Sequence, residues 1–453
     1  MTANEVTVRY LERCVVDAEL REAGIRAPYE EGFAAGVGSG LMSRPLFLPD
    51  PLIRAAGDDV VRMFGLITSL PDRLFGGDGA RYAAALGVNE VSTRVALRGG
   101  LRPLPPYGRA DLIYDGTGFR LLEANIGSEL GGCHIGEISR GLLAVDAFAA
   151  FVDEYRLINV EPGERIAAML RRVAAPVTGG GRDPVIAVVE WTGTFATVPE
   201  PYRLFTVELA RHGITVHLAE VGQLESKDGK LHFQGEPIDI ALRYFMLHEA
   251  CNDPDGEALL DPLFQAHADG GTILFTHPQT NLYSYKDNLA LLSDTRYRSA
   301  YSAEEIALID RMLPWTRLVD DGRTDVDGES VDLREYCLAH RGELIAKPHA
   351  GFSSYGTVAG WETTDEEWAE IIAKSPPNGY IVQRRVTGTA EPVIDPASGR
   401  TVDWLPIHGV FVIDEGYAGD YIRASPVDRS AVISGTAGAL ITSMFSYPTG
   451  RTR

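Results

Sequence analysis

The spacing of apolar residues divides the chain into a helical first part and a later part in which strands and helices alternate. Helical spacing prevails over the first hundred residues, with proline and glycine breaks such as SRPLFLPDPL and GGLRPLPPYG. Further on, the apolar runs PVIAVVEW and ITVHLAEV flank the helical pattern PEPYRLFTVELARHG, and the runs IDIALRYF and GGTILFTHP follow. An order of strand, helix and strand predicts a small parallel α/β unit.

The last third of the chain keeps this mixture of elements. The pattern predicts helices at NLALLSD, SAEEIALIDRML and TTDEEWAEIIAKS, and strands at ELIAKP, YIVQRRV and LPIHGVFVID. The run PVTGGGRDP at 176–184 is the clearest linker candidate, because three glycines stand between two prolines. We therefore expect a multi-lobed enzyme of the α/β or α+β class.

One predicted hairpin, RADLIYDGTGFRLLEAN at 109–125, ends in polar residues that share a face. The turn signal DGTG predicts a closure in which residue 115 faces residue 119. This register puts Asp111 opposite Glu123 and Arg109 opposite Asn125, on one side of the sheet. Two carboxylates and an amide oxygen suit a hard cation such as Mg²⁺, and Arg109 could hold a phosphate. The alternative is an exposed polar face with fortuitous ion pairs, and a slip of one residue would disperse the cluster.

A lysine and a loop of small residues form a second candidate site. Lys347 ends the apolar strand ELIAKP, directly before the loop. Such a loop can cover phosphates with its backbone N–H groups while the lysine pairs with them. It is not a P-loop, because the lysine precedes the glycines, and an ordinary strand-to-helix turn is the alternative interpretation. The loop residues of interest are Gly351, Ser353, Ser354 and Gly356.

Other positions carry weaker signals. Lys286 stands at the front of the predicted helix KDNLALLSD, where a cation opposes the helix dipole. Gln383, in YIVQRRV, could read an adenine edge together with the backbone, although a plain buried strand is the simpler explanation. The adjacent Cys133 and His134 lack zinc-site spacing and fit a structural or substrate-wall role. His349 either contacts a phosphate or faces solvent.

Composition narrows the possible partners. The chain has 453 residues, enough for two or three domains, and a net charge of −21 (42 basic against 63 acidic residues), which repels polyanions. We therefore expect neither nucleic acid nor an anionic membrane surface as a main partner. No apolar run approaches the roughly 18 residues of a membrane span, and the charged N-terminal sequence lacks a signal-peptide apolar region. The scattered cysteines form no CxxC pair, so we expect a cytoplasmic protein with reduced thiols.

Taken together, these segments resemble the ATP-grasp ligases, in particular the circularly permuted branch that contains the glutathionylspermidine synthases. RADLIYDGTGFRLLEANIG is similar to the Arg-x-Asp…Glu-x-Asn magnesium segment of that family, and TNLYSYKDNLALLSD to its Asn/Lys…Leu helix. LIAKPHAGFSSYGTV is similar to its Lys-Pro strand and glycine-rich lid, YIVQRRV to its hinge, and LPIHGVFVIDEGYAGDYIRAS to its closing strands, which end in an arginine. The magnesium segment precedes the lysines, which is the permuted arrangement.

The resemblance implies a role for each candidate residue. The ligands of one or two Mg²⁺ ions on the phosphates of ATP would be Asp111, Glu123 and Asn125. ATP itself would be bound by Lys286, Lys347, the closing loop at 350–356 and, at adenine, Gln383. The transferring phosphoryl group and the acyl phosphate would be steadied by Arg109 and Arg423. Phosphoryl transfer of this kind works mainly through positioning and charge neutralisation.

The sequence also departs from the glutathionylspermidine synthases. Their Glu-x-Asn continues with an acidic residue, threonine and proline, whereas here it continues with IGSE, so Ser128 is a candidate for binding a different substrate. The lid reads FSSYG in place of Arg-Glu-Gly, and we expect no attached cysteine amidase domain. Arg243 resembles the family's arginine in the α/β unit and is a candidate for binding a substrate carboxylate. Another amide product, in peptide or natural-product biosynthesis, therefore fits better.

The function that the resemblance implies is that of an ADP-forming ligase, which joins a carboxylate to an amine through an acyl phosphate. The acid would be an amino acid or a small peptide-like molecule. The domains would be a helical region with a core-lobe segment at 1–180, a small parallel pre-ATP-grasp-like domain at 181–280, a lid lobe at 281–390 and the returning core lobe at 391–453. A small-molecule kinase and a non-catalytic nucleotide-binding relative are the alternatives. Both substrates and the oligomeric state, a homodimer included, stay open.

Overall fold

The computed structural model describes residues 4–449 except 321, 352–353, 375–378 and 430, and apart from the side chain of residue 436. Ser353 of the predicted lid therefore lies outside the described residues. None of the described helices combines the length and the apolar character that crossing a membrane requires.

The first hundred residues are mainly helical, as their apolar spacing predicts. The side chain of Asn4 accepts the N–H of Thr7 at the start of the first helix, and Pro51 stands in the first turn of α5, where its missing N–H is tolerated. In chain order the elements are α1 (Glu5–Val16), α2 (Ala18–Arg21), α3 (Ala23–Arg26), α4 (Phe33–Gly36), β1 (Leu46–Pro49), α5 (Asp50–Thr68), α6 (Leu70–Phe75), α7 (Gly79–Ala85) and α8 (Glu90–Ala96).

The polar hairpin forms where the alternation predicts it. Its strands are β2 (Gly108–Tyr114) and β3 (Phe119–Ile126). The predicted cross-strand pairs, Asp111 with Glu123 and Arg109 with Asn125, are confirmed. The predicted closure is wrong, because residue 119 pairs with residue 114 and not with residue 115. A bulge at Leu122 adds one residue to β3 and restores the predicted register beyond it.

A helical segment follows the hairpin and extends into the predicted linker. It consists of a 3₁₀ helix (Cys133–Ile135), α9 (Gly136–Leu143), α10 (Asp146–Tyr155) and α11 (Pro162–Thr178). The last turn of α11 contains Pro176, and Gly179 ends the helix in a left-handed conformation with a φ of 68°. The linker prediction at 176–184 is therefore correct only for residues 179–184, which connect α11 to the next strand, whereas residues 176–178 are helical.

The apolar runs of the middle part form a parallel sheet in the order β10-β9-β4-β5. Chain order reverses beside β4, so the carboxyl ends of β4 and β9 flank a crevice of the kind that holds ligands in open α/β sheets. The elements are β4 (Val185–Glu190), α12 (Thr194–Thr197), α13 (Pro199–Arg211), β5 (Thr215–Glu220), a 3₁₀ helix (Val221–Gln223), β6 (Leu224–Lys227), β7 (Lys230–Phe233), β8 (Glu236–Ile238), β9 (Ile240–Arg243), α14 (Leu247–Asn252), α15 (Gly256–Leu259), α16 (Asp261–Ala268) and β10 (Ile273–Phe275). Strands β6, β7 and β8 form a separate antiparallel sheet.

Residues 280–384 form the part of the structure that carries both predicted nucleotide lysines. Its central antiparallel sheet has the order β11-β16-β14-β15. The elements are α17 (Thr280–Tyr283), α18 (Asp287–Ser293), a 3₁₀ helix (Thr295–Ala300), α19 (Ala303–Met312), β11 (Thr316–Leu318), β12 (Arg323–Val326), β13 (Glu329–Asp332), α20 (Leu333–Ala339), a 3₁₀ helix (Arg341–Glu343), β14 (Leu344–Pro348), β15 (Val358–Ala359), a 3₁₀ helix (Gly360–Glu362), α21 (Asp365–Ile372) and β16 (Tyr380–Arg384).

The C-terminal strands return to the hairpin and build one core sheet with it. This core sheet has the order β20-β19-β18-β2-β3, with β17 paired to β18, and β21 pairs in parallel with β1. The elements are β17 (Glu391–Ile394), β18 (Thr401–Ile413), β19 (Gly416–Pro426), a 3₁₀ helix (Gly435–Ala437), β20 (Leu440–Thr442) and β21 (Met444–Tyr447). Segments far apart in sequence therefore share one sheet.

Helix α5 packs closely against this core sheet. Its buried residues recur at helical spacing and include Ile53, Val60 and Phe64. Gly57 lies over Tyr417 of β19, and a Cβ at this glycine would stand 2.6 Å from the Tyr417 Cβ and 2.9 Å from its Cα. Because one of these atoms belongs to the backbone, the position admits no side chain without a shift of the helix.

We expect Gly57→Ala to lower the free energy of unfolding by about 1–3 kcal/mol, because the added methyl group overpacks the contact between helix and sheet. Gly65→Ala, in the same helix, is the matched control, since no described atom lies within 4 Å of its Cβ position. It should be neutral or stabilising by about 0.5–1 kcal/mol. Urea denaturation followed by circular dichroism measures both, and equal effects would contradict the packing.

Candidate functional site

Two cavities meet at one edge of the core sheet. The larger has a volume of about 560 Å³ and the smaller about 310 Å³. Both are lined by Asp111, Glu123, Ser354 and Arg423, so these residues form their junction. The predicted polar cluster of the hairpin therefore lies between two binding volumes.

A buried ion pair holds the junction together. The Nη2 of Arg423, on β19, lies 2.6 Å from Oδ2 of Asp111, and the Nε of Arg109 lies 3.6 Å from Oδ1 of the same carboxylate. Asp111 is only 7% exposed. Burial alone raises the pKa of Asp111, but the guanidinium groups of Arg423 and Arg109 outweigh it and hold the pKa below its ordinary value. Gly409 of β18 pairs with Asp111. Its lack of a side chain leaves room for Arg109, because a Cβ at residue 409 would lie 3.0 Å from the Arg109 Cδ.

The two predicted nucleotide lysines both reach the hairpin. The Lys286 Nζ lies 3.0 Å from Oε1 of Glu123 and donates to the carbonyl of Gly351 at 2.8 Å. The Lys347 Nζ donates to the carbonyl of Leu122, the bulged residue, at 2.7 Å. Three segments that are distant in sequence are thus joined by lysine contacts.

Lys347 is buried, and its position is set by a glutamine. Its Nζ donates to Oε1 of Gln383 at 2.8 Å, and the Gln383 Nε2 donates to the Thr316 hydroxyl at 3.1 Å. Burial lowers the pKa of Lys347 to about 8, while the Glu123 carboxylate acts in the opposite direction. The amide of Gln383 thus orients Lys347, and its predicted contact with adenine stays a prediction.

Arg243 and Ser128, the predicted substrate-binding pair, lie in a buried network behind the larger cavity. The Arg243 guanidinium donates to the carbonyls of Thr276 and Phe245 and lies 2.7 Å from Oε2 of Glu129. The Ser128 hydroxyl donates to the carbonyl of Arg243 at 2.5 Å. Glu129 lines the cavity, so a substrate carboxylate could reach Arg243 only by displacing Glu129.

The described part of the predicted lid borders both cavities. Gly351 and Ser354 line the larger one, and Ser354 lines the smaller one as well. Ser354 has a φ of 59°, and Gly356 has a φ of 71° with its Cβ position 2.8 Å from the Pro348 ring. This crowded, left-handed backbone favours glycine at 356. His349 lies 3.1 Å from Asp287, next to Lys286, and so faces a carboxylate.

Part of the wall of the smaller cavity is apolar, which the sequence did not reveal. Its apolar residues include Ile113, Leu122, Ile345, Trp361, Val386, Leu405, Ile407 and Ile433. The Arg385 guanidinium lies over the Trp361 ring, 4.1 Å from its centroid. A flat apolar group fits such a wall, with Lys347 at its inner end. Of the Cys133–His134 pair, Cys133 is buried and His134 lines the larger cavity.

The oxygen donors at the junction fit a hard cation. Oδ1 of Asp111 is buried, and no described residue donates a hydrogen bond to it. Glu123 and Asn125 line the same cavity, and carboxylate and amide oxygens are the ligands that Mg²⁺ prefers. A second acidic cluster, Glu161 with Glu208 and His212, is already occupied by the guanidinium of Arg140, which binds both of its carboxylates.

Comparison with known proteins gives a fold and no family. No protein-family model and no curated protein matches the sequence. A solved structure of a glutathione synthetase-like effector from Globodera pallida in its apo form matches with a TM-score of 0.58 over 99% of this chain and 98% of the effector, at 12% identity. The two proteins share a fold.

A second solved structure is described as "Putative gamma-glutamylcysteine synthetase" from Methylobacillus flagellatus. It has a TM-score of 0.43 and 14% identity, over 84% of this chain and 87% of that protein. The comparison that supports a common fold is therefore the one with the effector. Its coverage of both chains places the core sheet, the parallel sheet and the lysine-bearing sheet within one shared architecture.

We expect Arg423→Met to lower the free energy of unfolding at pH 7 by about 3 kcal/mol, because it leaves the Asp111 carboxylate buried without its close partner. In the wild type the pKa of Asp111 is depressed, so its stabilising contribution is present above the unfolded pKa and is lost as the pH falls. In the variant, burial raises the pKa of Asp111, so protonation of its carboxylate at lower pH removes the cost of an unpaired buried charge. The difference in stability between the two proteins should therefore shrink from pH 7 to pH 4.

Urea denaturation across this pH range measures the effect. The double variant Asp111→Asn with Arg423→Met is the control, since it removes the buried charge and should recover much of the loss. A deficit of constant size at all pH values would contradict the ion-pair interpretation.

Proposed function

We propose that the protein is an ADP-forming carboxylate–amine ligase with a circularly permuted ATP-grasp fold. The observation that carries the proposal is the meeting of two cavities at Asp111, Glu123 and Arg423, with Lys286 and Lys347 bonded to the same hairpin. Such an arrangement suits a nucleotide on one side, a carboxylate substrate on the other, and phosphoryl transfer between them.

The smaller cavity would take the adenine and ribose of ATP. Its apolar residues suit a flat base, with hydrogen bonds supplied by the backbone of residues 386–388, which follow β16 and line the cavity. Lys347 and Lys286 would exchange their hydrogen bonds to backbone carbonyls for hydrogen bonds to phosphate oxygens. Mg²⁺ held by Asp111, Glu123 and Asn125 would neutralise charge on the phosphates.

The larger cavity would take the acid and the amine. Arg109 and Arg423 line it next to the junction, where they would steady the transferring phosphoryl group and the acyl phosphate that it forms. The amine would then displace phosphate from the acyl carbon. Ser354 borders the junction, and the predicted lid of which it is part would keep water from the acyl phosphate.

The shared fold supports this proposal. The Globodera pallida effector is named as glutathione synthetase-like, and the two chains match over nearly their full lengths. We propose four domain segments: a helical region with a core-lobe segment at 1–180, the parallel unit at 181–280, the lid lobe at 281–390 and the returning core lobe at 391–453; the separate core, parallel and antiparallel sheets support this division.

The reaction is tested by incubating the full chain with ATP, Mg²⁺ and pooled small acids and amines, with hydroxylamine as a trap. We expect ADP and free phosphate in the presence of an acid, together with a hydroxamate. ADP without free phosphate or hydroxamate would instead indicate a small-molecule kinase. AMP and pyrophosphate would rule out the acyl-phosphate mechanism.

Lys347→Met should weaken binding of the Mg²⁺ complex of AMP-PNP by about 10- to 100-fold, because a charge-assisted bond to phosphate is lost. The exposed Lys227→Met is the matched control and should bind as the wild type does. Because burial lowers the pKa of Lys347 to about 8, wild-type affinity should fall between pH 7 and pH 9 as the lysine loses its proton.

Isothermal titration calorimetry at pH 7, 8 and 9 measures both effects. The affinity of the Lys347→Met variant should change much less over this range than that of the wild type. Wild-type affinity in the variant, or the same pH dependence in both proteins, would show that Lys347 does not contact the nucleotide.

A further inference from the structure

The wall of the larger cavity carries a carboxylate that is held in place from behind. Glu129 lines the cavity, and its Oε2 lies 2.7 Å from the fully buried Arg243 guanidinium. Its Oε1 accepts from the Asn281 Nδ2 at 2.8 Å. A carboxylate has about four acceptor sites, so these two contacts leave acceptor capacity on Glu129.

Asn281 provides an independent sign that a ligand binds here. It also lines the cavity, is 7% exposed, and its Oδ1 is a buried atom to which no described residue donates. The bond from its Nδ2 to Glu129 determines which end of the amide is the oxygen. A buried acceptor without a donor is unfavourable unless a ligand supplies one.

The backbone around Glu129 is shaped to this carboxylate. Gly127 has a φ of 141°, and a Cβ there would stand 2.7 Å from the Glu129 Oε2 and 3.0 Å from the Thr280 hydroxyl. Thr280 in turn accepts from Arg243 at 2.8 Å. Gly127 thus leaves the space that Glu129 occupies, and Arg243 is a positioning residue for it.

These contacts define the chemistry of the ligand. Carboxylate and amide oxygens accept hydrogen bonds and repel anions, whereas a primary ammonium group offers three donors and a positive charge. The opposite charges, Arg109 and Arg423, line the same cavity at the junction. The cavity therefore offers positive charge to an anionic acyl group and hydrogen-bond acceptors to a cation.

We propose that Glu129 and Asn281 bind the amine substrate as its ammonium ion, which passes one proton to a phosphate oxygen of the acyl phosphate before its nitrogen attacks the acyl carbon and phosphate leaves. The proposal rests on the proposed ligase function and deepens it, because it assigns the amine to one wall of the larger cavity. Amines that are cationic at neutral pH, such as amino acids and polyamines, are the substrate class that it selects.

Binding is tested without turnover, as the shift in melting temperature of the full chain with Mg²⁺ and AMP-PNP. The probes are amino acids, ethanolamine, diamines and polyamines, each beside its N-acetylated or hydroxyl analogue. We expect at least one amine to raise the melting temperature of the wild type while its uncharged analogue does not. Glu129→Gln and Asn281→Ala should lose this shift, and the exposed Glu225→Gln, a matched change of charge, should keep it.

Turnover provides a second readout, with hydroxylamine as a nucleophile that is uncharged at neutral pH. We expect both variants to lower kcat/KM for the cationic amine by about 10- to 100-fold, mainly through KM, because a charge-assisted contact is lost. Hydroxamate formation should change much less. Glu129→Gln keeps an acceptor for Arg243, and Asn281→Ala leaves the Arg243 ion pair in place, so at least one folded variant is expected.

The outcomes separate the two proposals. Equal losses with the cationic amine and with hydroxylamine, or equal shifts with amines and their uncharged analogues, would overturn the ammonium site. The absence of any amine-dependent shift in the wild type would also overturn it. A third outcome is an amine-dependent shift in melting temperature that requires Glu129, with no ADP released by the wild type from any pool. This outcome would overturn the proposed ligase function but not the ammonium site.

Discussion

The ion pair between Asp111 and Arg423 depends on strands that are far apart along the chain lying in one sheet. Strand β18 pairs with β2 on one side and with β19 on the other, and this arrangement brings the two side chains within 2.6 Å. A buried charge is costly unless its partner is close, so the registers of three strands are coupled through this contact. Arg109 lies on β2 and Glu123 on the neighbouring β3, so the positions of both side chains depend on the same sheet.

The face of the hairpin could be predicted from the sequence because side chains alternate along a strand and both strands are local. The closure could not, since Leu122 leaves the ladder and its carbonyl meets Lys347, far along the chain. The predicted pairing of Asp111 with Glu123 was correct because the bulge compensated for the misplaced turn. A pattern of alternation contains no information about such a compensation.

Buried polar partners were the least predictable part of the site. Gln383 stands in an apolar strand, and its sequence context is the same whether its amide meets a base or a lysine. Arg243 similarly ends a buried strand, and only the fold shows that Glu129 lies between it and the cavity. These partners come from separate segments, so spacing along the chain cannot pair them. The fold-level mixture of strands and helices was predictable because it depends on local periodicity.

The composition of the core sheet also affects how the chain acquires its structure during synthesis. The parallel sheet lies between residues 185 and 275 and can assemble from contiguous chain, whereas the β2 edge finds its neighbour only after residues 401–413 have been made. Until then the hairpin presents an unpaired edge with one apolar face, a surface open to aggregation. The strands that complete this edge are therefore among the last parts of the chain to be synthesised.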